Sequence, residues 1–341
     1  MLTKWDDYFV HQIDEPIERV HGSNELWLES CSYVAGSVDD RVHVVTGVVS
    51  HPNAGVMAGY AFAKRNSMQY NFWASRELNN DRTNTIVGPL SFIIIEPMSK
   101  WSLKLAENKY CPISFDLEFE PVADPYWAKT TPQEAEFGER YCIFFEELRP
   151  SGRLTIAGED FDAEGYWGNR SRFWGMRGDW KNLGLFIAVL ATFKDYRIYL
   201  YYQESIDGNP RMIHGAIMPE GGNPVPIVEV RSNLSFEPGT RWLPSPKLEL
   251  VDANGKQHKL SARLSNTGIR FKPSPGRLFH EHYGAFHLEG DTWDLNDHDI
   301  VLSNAKWVSH WICEYCCDDD TGHGLLEYAV TKKHQRYGPT I

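Results

Sequence analysis

The sequence predicts an all-β protein with two domains. Short runs of alternating or β-branched apolar residues recur at intervals of about 8 to 12 residues, and no window keeps a helical period beyond about three turns. The chain has 341 residues, which is more than one hydrophobic core usually supports. Hydrophobic residues make up 42% of it and charged residues 23%, as in ordinary globular proteins. We therefore expect two β domains, residues 1–184 and 185–341, each large enough for one barrel.

Local patterns support the individual strands. The segment Phe115–Glu120 alternates apolar and acidic residues, which is typical of a strand with one buried and one solvated face. Arg41–Ser50 and Leu90–Glu96 are apolar runs of strand length. Pro121–Glu139 is irregular, and long loops of this kind are often functional.

Turn residues predict where these strands are connected. The segments Tyr141–Glu146 and Arg153–Ala157 flank a Pro-Ser-Gly sequence at 150–152, so they are expected to form a hairpin. Asp-Gly at 207–208 and Asn-Gly at 254–255 are strong signals for tight turns between strands. The chain should therefore consist mainly of antiparallel hairpins.

Charge and hydropathy exclude some partners and locations. The formal net charge of −12 argues against nucleic acid or an anionic membrane surface as the main partner. The beginning of the sequence has no apolar segment of the signal-peptide type, and no apolar run of about 18 residues occurs, so we expect no membrane insertion and a cytoplasmic location. The six cysteines should then be mostly free thiols. Both a monomer and a homodimer are compatible with this composition.

The stretch GYWGNRSRFWGMRGDW, residues 165–180, is the densest cluster of aromatic and charged side chains. It holds three Trp, four Gly and three Arg. On an extended strand Arg170 and Arg172 share a face with Trp174. A buried arginine must be paired, so Glu164, Asp179 or a carboxylate or enolate oxygen of a ligand should lie nearby. The stretch is therefore either part of a ligand pocket or an internal arginine–carboxylate staple.

A second cluster, FHEHYGAFHL, places His280 and His282 on one face of a strand, as two metal ligands could be. In metal sites of the cupin type a glutamate follows three or four residues later, whereas here Glu289 lies seven positions after His282. We therefore predict no metal at this position. The histidines are expected to line a cavity or lie at a strand edge, where either could act as a general acid or base.

A third cluster contains a Cys-x-x-Cys pair, Cys313 and Cys316, followed by Cys317. Such a pair can bind zinc or act as a redox couple, and His310 or His323 could complete a zinc site. Only one of the two knuckles of a structural zinc site is present, so free thiols are the preferred interpretation. Motifs of serine hydrolases, phosphate-binding loops and dinucleotide-binding folds do not occur.

Four segments resemble a known family. They are HGSNELWLESCSY, with Trp27 and Glu29; EPMSKWSLKL with FDLEFEP; RPSGRLTIAGEDFDAEGYWGNRSRFWGMRGDW; and TGHGLLEY. Together they resemble the tandem-lipocalin group of AttH and the carotenoid 1,2-hydratases. The resemblance implies two lipocalin-like antiparallel β-barrels in tandem, with an apolar cavity within or between them. It also implies chemistry without a cofactor, since activities in the group include hydration of isoprenoid double bonds and cyclisation of polyenes.

The chain departs from the family motif at one important place. The motif reads Asp-His-Ser-Trp-Gly, whereas residues 171–175 read SRFWG, so the acid and the histidine of the motif are missing. Arg172 could instead hold an anionic group or polarise a carbonyl. The candidate catalytic residues are Glu164, Arg172, His280 and His282. The candidate ligand-binding residues are Trp27, Glu29, Tyr166, Trp167, Arg170, Trp174, Arg177 and Glu327.

The predicted function is a cofactor-independent enzyme, an isomerase, cyclase or hydro-lyase, that acts on a hydrophobic small molecule such as a terpenoid or polyketide in a barrel or inter-domain cavity. A non-catalytic carrier or sensor of a hydrophobic ligand is the first alternative, and a cupin-like metal-dependent oxygenase is the second. If Glu164, Arg170 and Arg172 surround one void, an enzyme is favoured. If they pair only with each other, a carrier or scaffold is favoured.

Overall fold

The computed structural model describes residues 4–11, 14, 27–78, 83–135, 140–176, 182–271, 286–297, 299 and 308–341. Within these residues the chain forms 22 β-strands, one single-turn α-helix and three short 3-10 helices. The all-β prediction is therefore confirmed. No helix among the described residues has the length and apolar character needed to cross a lipid bilayer.

The elements follow each other along the chain in a fixed order. The strands are β1 (Trp27–Gly36), β2 (Val42–His51), β3 (Val56–Arg65), β4 (Met68–Glu77), β5 (Ile86–Val87), β6 (Leu90–Glu96), β7 (Lys100–Leu105), β8 (Ile113–Pro121), β9 (Tyr126–Lys129), β10 (Arg140–Ile156), β11 (Glu159–Asp162), β12 (Trp167–Met176), β13 (Leu183–Thr192), β14 (Tyr196–Ser205), β15 (Pro210–Pro219), β16 (Val225–Asn233), β17 (Lys247–Asp252), β18 (Gln257–Arg263), β19 (Ile269–Arg270), β20 (His287–Asp294), β21 (Ser309–Cys317) and β22 (Asp320–Val330). The 3-10 helices span Lys4–Asp7, Pro52–Ala54 and Gly338–Thr340, and α1 spans Pro132–Ala135.

The chain divides into two compact units. Unit 1 comprises residues 1–37, 41–179 and 273–294, and unit 2 comprises residues 38–40, 180–272 and 295–341. The crossing between residues 179 and 180 lies close to the predicted boundary at 184. The chain then returns to unit 1, because β20 pairs along its whole length with β4.

Unit 1 is built on one curled antiparallel sheet. Its strand order is β20-β4-β3-β2-β1-β12-β10-β8-β7-β6-β5, and β9 and β11 pair with β10 beside this path. The sheet curls so that β5, the strand at one edge, contacts β3 and β4 near the opposite edge. Val, Phe, Leu and Trp side chains from most of these strands fill the concave side as one core. This curvature gives unit 1 an interior into which β1, β12 and β10 project side chains.

Unit 2 is a closed barrel of eight strands. Its order is β18-β17-β16-β15-β14-β13-β22-β21, and β18 pairs with β21 to close the ring. The predicted tight turns at its hairpins are confirmed, because Gly208 and Gly255 have φ angles of +84° and +81°. Such angles are readily adopted only by glycine. A continuous apolar core fills the barrel.

The predicted hairpin around residues 150–152 is wrong. β10 runs through this region as one strand of 17 residues. Its first part pairs with β12 and its last part with β8, and Leu148 pairs with both neighbours. Gly152, with φ of +103°, lies where the β10 backbone approaches Asp116 of β8 too closely for a side chain. Pro150 and Gly152 therefore mark a change of partner within a strand, and not a reversal of the chain.

Gly175 offers a direct test of the close packing in the middle of unit 1. Its φ is +130°, and a Cβ there would lie 2.6 Å from Tyr141 Cα and still closer to the carbonyl oxygen of Arg140. We expect Gly175→Ala to lower the free energy of unfolding by about 2–5 kcal/mol, because backbone strain and steric overlap add. Urea unfolding followed by circular dichroism would measure this loss.

Gly158→Ala is the matched control for this substitution. Gly158 also has a positive φ, +80°, but no atom lies within 4 Å of the position of its Cβ. Only the cost of the backbone angle, about 1–2 kcal/mol, is expected there. Equal losses in the two variants would contradict the close approach of β10 and β12 at Gly175.

Candidate functional site

The inner face of unit 1 carries a group of ionisable side chains. In the register of the sheet Arg170 lies opposite Tyr33 of β1 and Glu146 of β10, and Arg172 lies opposite Cys31 of β1. Directly paired residues of antiparallel strands point to the same face. Cys31 and Tyr33 belong to the core of the unit, so all five side chains project into its interior.

Arg170 is fully buried and is held by two carboxylates. Its Nε donates a hydrogen bond to Oε2 of Glu146 at 2.6 Å, and its Nη1 donates to Oδ1 of Asp7. The guanidinium lies over the ring of Trp101, 3.8 Å from the ring centroid. Burial alone would lower the pKa of Arg170, but the carboxylates of Glu146 and Asp7 raise it well above its usual value. Arg170 is therefore a permanent cation inside the unit.

Asp7 enters this interior from the N-terminal 3-10 helix. Its Oδ2 accepts hydrogen bonds from the Trp101 indole nitrogen at 3.0 Å and from the Met98 backbone nitrogen. These donors, together with Arg170, hold the carboxylate in one orientation. Its place in this network was not predicted, because the sequence WDDYF around it carries no recognised motif.

Arg172 is also fully buried, but its partners are different. Its Nη2 donates to Oε1 of Glu29 at 2.6 Å and to the carbonyl oxygen of Tyr8 at 2.7 Å. Its Nη1 donates to the carbonyl oxygen of Ser30 at 3.1 Å, and the guanidinium lies 4.3 Å from the ring centroid of Phe9. Arg172 therefore joins β12 to β1 and to residues 4–11, which we call the N-terminal segment.

His11 connects Glu29, the partner of Arg172, to the carboxylate of Asp6. Its Nδ1 lies 3.0 Å from Oε1 of Glu29, and its Nε2 lies 2.7 Å from Oδ1 of Asp6. The imidazole stacks on the indole of Trp174 with 4.1 Å between the ring centroids. All of these side chains are buried. The N-terminal segment is thus fixed to β12 through both arginines and through Trp174.

A cavity of about 170 Å³ lies beside this network in unit 1. Asp7, Cys31, Tyr33, Tyr8, Thr83 and Thr85 are the polar residues of its wall, and aromatic and aliphatic residues form the remainder. Burial raises the pKa of the Cys31 thiol and raises that of the Tyr33 phenol well above its usual value, so both remain protonated at neutral pH. An apolar cavity of about 150 Å³ can bind benzene, so a single ring or a short branched chain fits this space.

Glu164 does not pair with the arginines. Its side chain is exposed in the turn between β11 and β12, where its backbone nitrogen donates to Oδ1 of Asp162. This corrects the expectation that Glu164 would neutralise Arg170 or Arg172. Their carboxylate partners come instead from β1, β10 and the N-terminal segment.

The candidate tryptophans of this region are buried. Trp27 and Trp174 pack with Cys142 and Phe144 in a small buried cluster. Trp167 is buried as well, and Tyr166 is half-buried against the main core of the unit. None of these rings lines the described cavity. Their assignment as ligand contacts therefore remains a prediction.

The remaining candidates belong to unit 2 or fall outside the described residues. Glu327 belongs to β22 of unit 2, where its Oε2 lies 3.0 Å from Nε2 of His310. Arg177, His280 and His282 lie outside the described residues. Their predicted roles stay predictions.

The Cys-x-x-Cys pair does not form one metal site. All six cysteines are free, and only Cys316 is exposed. Because side chains alternate along β21, Cys313 points into the barrel core and Cys316 points outward. On a strand, residues three positions apart point to opposite faces, so this spacing does not bring the two sulfurs together as it does in a zinc knuckle.

Comparison with known proteins gives a family and a fold. A family model described as a family of unknown function, DUF8625, matches residues 2–340. No curated protein matches the chain in sequence. Among solved structures, an AttH of Nitrosomonas europaea superposes with a TM-score of 0.60 at 10% identity, over 89% of this chain and 93% of that one.

Two further structures are similar over nearly the whole chain. CghA in complex with Sch210972 has a TM-score of 0.55 at 12% identity, over 95% of this chain and 97% of that one. Kievitone hydratase from Nectria haematococca has a TM-score of 0.55 at 11% identity, over 95% and 98%. The likeness confirms the resemblance to the AttH group. At these identities it establishes the fold alone.

The buried pair of Arg172 and Glu29 should contribute strongly to the stability of unit 1. We expect Arg172→Met to lower the free energy of unfolding by about 3–5 kcal/mol, because Glu29 is then left buried without its cation. Urea unfolding followed by tryptophan fluorescence would measure the loss. Lys104→Gln is the control, since Lys104 and Asp116 form an exposed pair in the same unit and little change is expected. Similar small losses in both variants would contradict this assignment.

Proposed function

Because the chain belongs to this family of unknown function, DUF8625, its activity must be inferred from its own site, and we propose that it is an enzyme that moves a proton on a hydrophobic small molecule. The reaction class is an isomerase, cyclase or hydro-lyase. One observation carries the proposal: a carboxylate, Asp7, and a protonated phenol, Tyr33, lie on the wall of the same largely apolar cavity. General acid–base chemistry requires such a pair beside the substrate.

The two polar groups have complementary roles in the proposed reaction. Asp7 accepts a proton from a carbon next to a substrate carbonyl, while Arg170 and Trp101 keep its carboxylate oriented. Tyr33 stays protonated and donates a hydrogen bond to the carbonyl oxygen, on which negative charge develops. Asp7 then returns the proton to another carbon in an isomerase, or to a departing hydroxyl group in a hydro-lyase. The isomerisation relocates a proton, and the hydro-lyase reaction breaks a C–O bond, forms a C=C bond and releases water; neither is an oxidation or a group transfer, so no redox or group-transfer cofactor is needed.

The cavity limits the class of substrate. The walls formed by Phe9, Phe92 and Trp101 favour an apolar group, and the volume of about 170 Å³ suits one ring or a short isoprenoid branch. A substrate oxygen is needed to accept the hydrogen bond from Tyr33. The similar structures support a small-molecule role, because one of them is a hydratase and another is bound to a small molecule, Sch210972.

A non-catalytic carrier is the second candidate. It is favoured by the fact that Arg170 and Arg172 pair with protein carboxylates, Glu146, Asp7 and Glu29, and not with an open space. In a carrier these charges would serve only to fix the N-terminal segment over the ligand. The oxygenase alternative rests on His280 and His282, and no observation on the described residues favours it.

Proton exchange with solvent distinguishes the two candidates. The chain is incubated in heavy water with a panel of small one-ring enones such as 2-cyclohexenone, and the products are examined by mass spectrometry. An enzyme incorporates deuterium at a carbon of at least one compound, or adds or removes water. We expect Asp7→Asn to slow this reaction by a factor of about 10² to 10⁴, and Tyr33→Phe by about 10² to 10³.

The control is Asp116→Asn, which alters an exposed carboxylate on the outer face of β8 and should leave the rate unchanged. If compounds of the panel bind to the wild-type chain, as seen by native mass spectrometry, but never exchange a proton, the carrier is correct. If Asp7→Asn and Tyr33→Phe react as fast as the wild type, the assignment of this cavity is wrong.

A further inference from the structure

Three side chains with metal-binding atoms converge at one end of the unit 2 barrel. A ring nitrogen of His258, the sulfur of Cys317 and a carboxylate oxygen of Asp318 all lie within 4.8 Å of one another. His258 lies on β18 and Cys317 ends β21, and these strands pair through Leu260 opposite Cys317. His258 and Cys317 are buried, and Asp318 is exposed in the turn that follows. The cluster is therefore fixed within the protein and open to solvent on one side.

Neighbouring groups already orient two of these side chains. Oδ2 of Asp252 lies 3.0 Å from Nε2 of His258, so the other ring nitrogen, Nδ1, can face a metal ion. The second oxygen of Asp252 accepts hydrogen bonds from the backbone nitrogens of residues 254 and 256, at 2.9 Å and 3.0 Å, which hold the carboxylate in place. Histidine ligands of metal ions commonly have such a carboxylate behind them.

Asp318 is oriented in a similar way. Its Oδ1 accepts a hydrogen bond from the backbone nitrogen of Lys259 at 3.1 Å, which ties the turn after β21 to β18. This bond uses one of the two carboxylate oxygens and leaves Oδ2 for a ligand. His258 and Asp318 are thus held in place by hydrogen bonds, and Cys317 is buried as a member of the barrel core.

The donor set indicates which metal would bind. A thiolate and an imidazole together favour zinc over calcium or magnesium, which prefer oxygen ligands. Zinc is usually four-coordinate and tetrahedral, and the carboxylate oxygen supplies a third ligand. The exposed side of the cluster admits water as the fourth.

We propose that unit 2 binds one zinc ion through His258, Cys317 and Asp318, with Asp252 as the carboxylate that orients His258. The site lies at the junction of β18 and β21, the pairing that closes the barrel. The ion would therefore connect the β17–β18 hairpin to the β21–β22 turn. Because the ligands come together only in the folded barrel, zinc binding should stabilise unit 2.

Cobalt substitution tests the site directly. The full chain is freed of metal with a chelator and titrated with Co²⁺, whose thiolate complexes give a near-ultraviolet charge-transfer band and whose tetrahedral complexes give intense visible bands. We expect one equivalent of Co²⁺ to bind, zinc to displace it, and zinc to raise the thermal midpoint of unfolding. Cys317→Ser should abolish the charge-transfer band.

Further variants test whether these residues, and not neighbouring groups, bind the metal. Cys316→Ser removes the adjacent exposed thiol, which lies outside the cluster, and should leave the cobalt spectrum unchanged. Asp252→Asn should weaken zinc binding by a factor of about 10 to 100 while it preserves the charge-transfer band, because it acts through His258. If Cys317→Ser fails to fold, Asp318→Asn on the surface should still weaken the binding of Co²⁺.

Two results would overturn the proposal. The first is that the wild-type chain binds no stoichiometric Co²⁺ or Zn²⁺. The second is that the charge-transfer band persists in Cys317→Ser or disappears in Cys316→Ser, which would assign the metal to another thiol.

Discussion

The charges of Arg170 and Arg172 lie in the interior of unit 1, where an unpaired guanidinium would cost several kcal/mol. Both arginines lie on β12, between β1 and β10, so their side chains can reach carboxylates from both neighbouring strands. Glu146 of β10 and Glu29 of β1 neutralise one arginine each. Asp7 brings in the N-terminal segment as a third source. This charge balance joins parts of the chain that are far apart in sequence, and the position of the N-terminal segment depends on it.

The same charge balance shapes the cavity. Asp7 pairs with Arg170 and also lies on the cavity wall. The residue that neutralises the buried arginine therefore also places a carboxylate beside the cavity. The motif on β12 lacks the histidine found in the AttH group. An imidazole lies against Trp174 in this chain, and it comes from His11, which is held by Asp6 and Glu29.

Much of the fold could be predicted from local sequence patterns. Alternation at Phe115–Glu120 and the glycines at 208 and 255 depend only on near neighbours, and there the structure agrees. The hairpin predicted at 150–152 failed because proline and glycine also occur where a strand bends and changes partners. The spacing of Cys313 and Cys316 left a zinc knuckle open as an alternative to free thiols, because the meaning of that spacing depends on whether the segment is a turn or a strand.

The partners of the buried arginines could not be predicted in this way. Electrostatics predicts that each buried arginine needs a carboxylate partner. Which carboxylate it is depends on the tertiary structure. Asp7 lies 163 positions from Arg170 in sequence, and no local pattern connects them. The exposed position of Glu164, close to both arginines in sequence, shows that sequence proximity is a poor guide to pairing across a curled sheet.

The pairing of β20 with β4 has a consequence for biosynthesis. β4 ends at Glu77, and the strand that covers its edge begins at His287, after most of unit 2 has been made. On the ribosome, the backbone groups along that edge of β4 therefore remain without their native partner until late in translation. Unprotected strand edges promote association between chains, so the nascent protein passes through a period in which a chaperone would be of benefit. A fragment that ends with β12 would lack β20, so the edge of β4 would never gain its native partner.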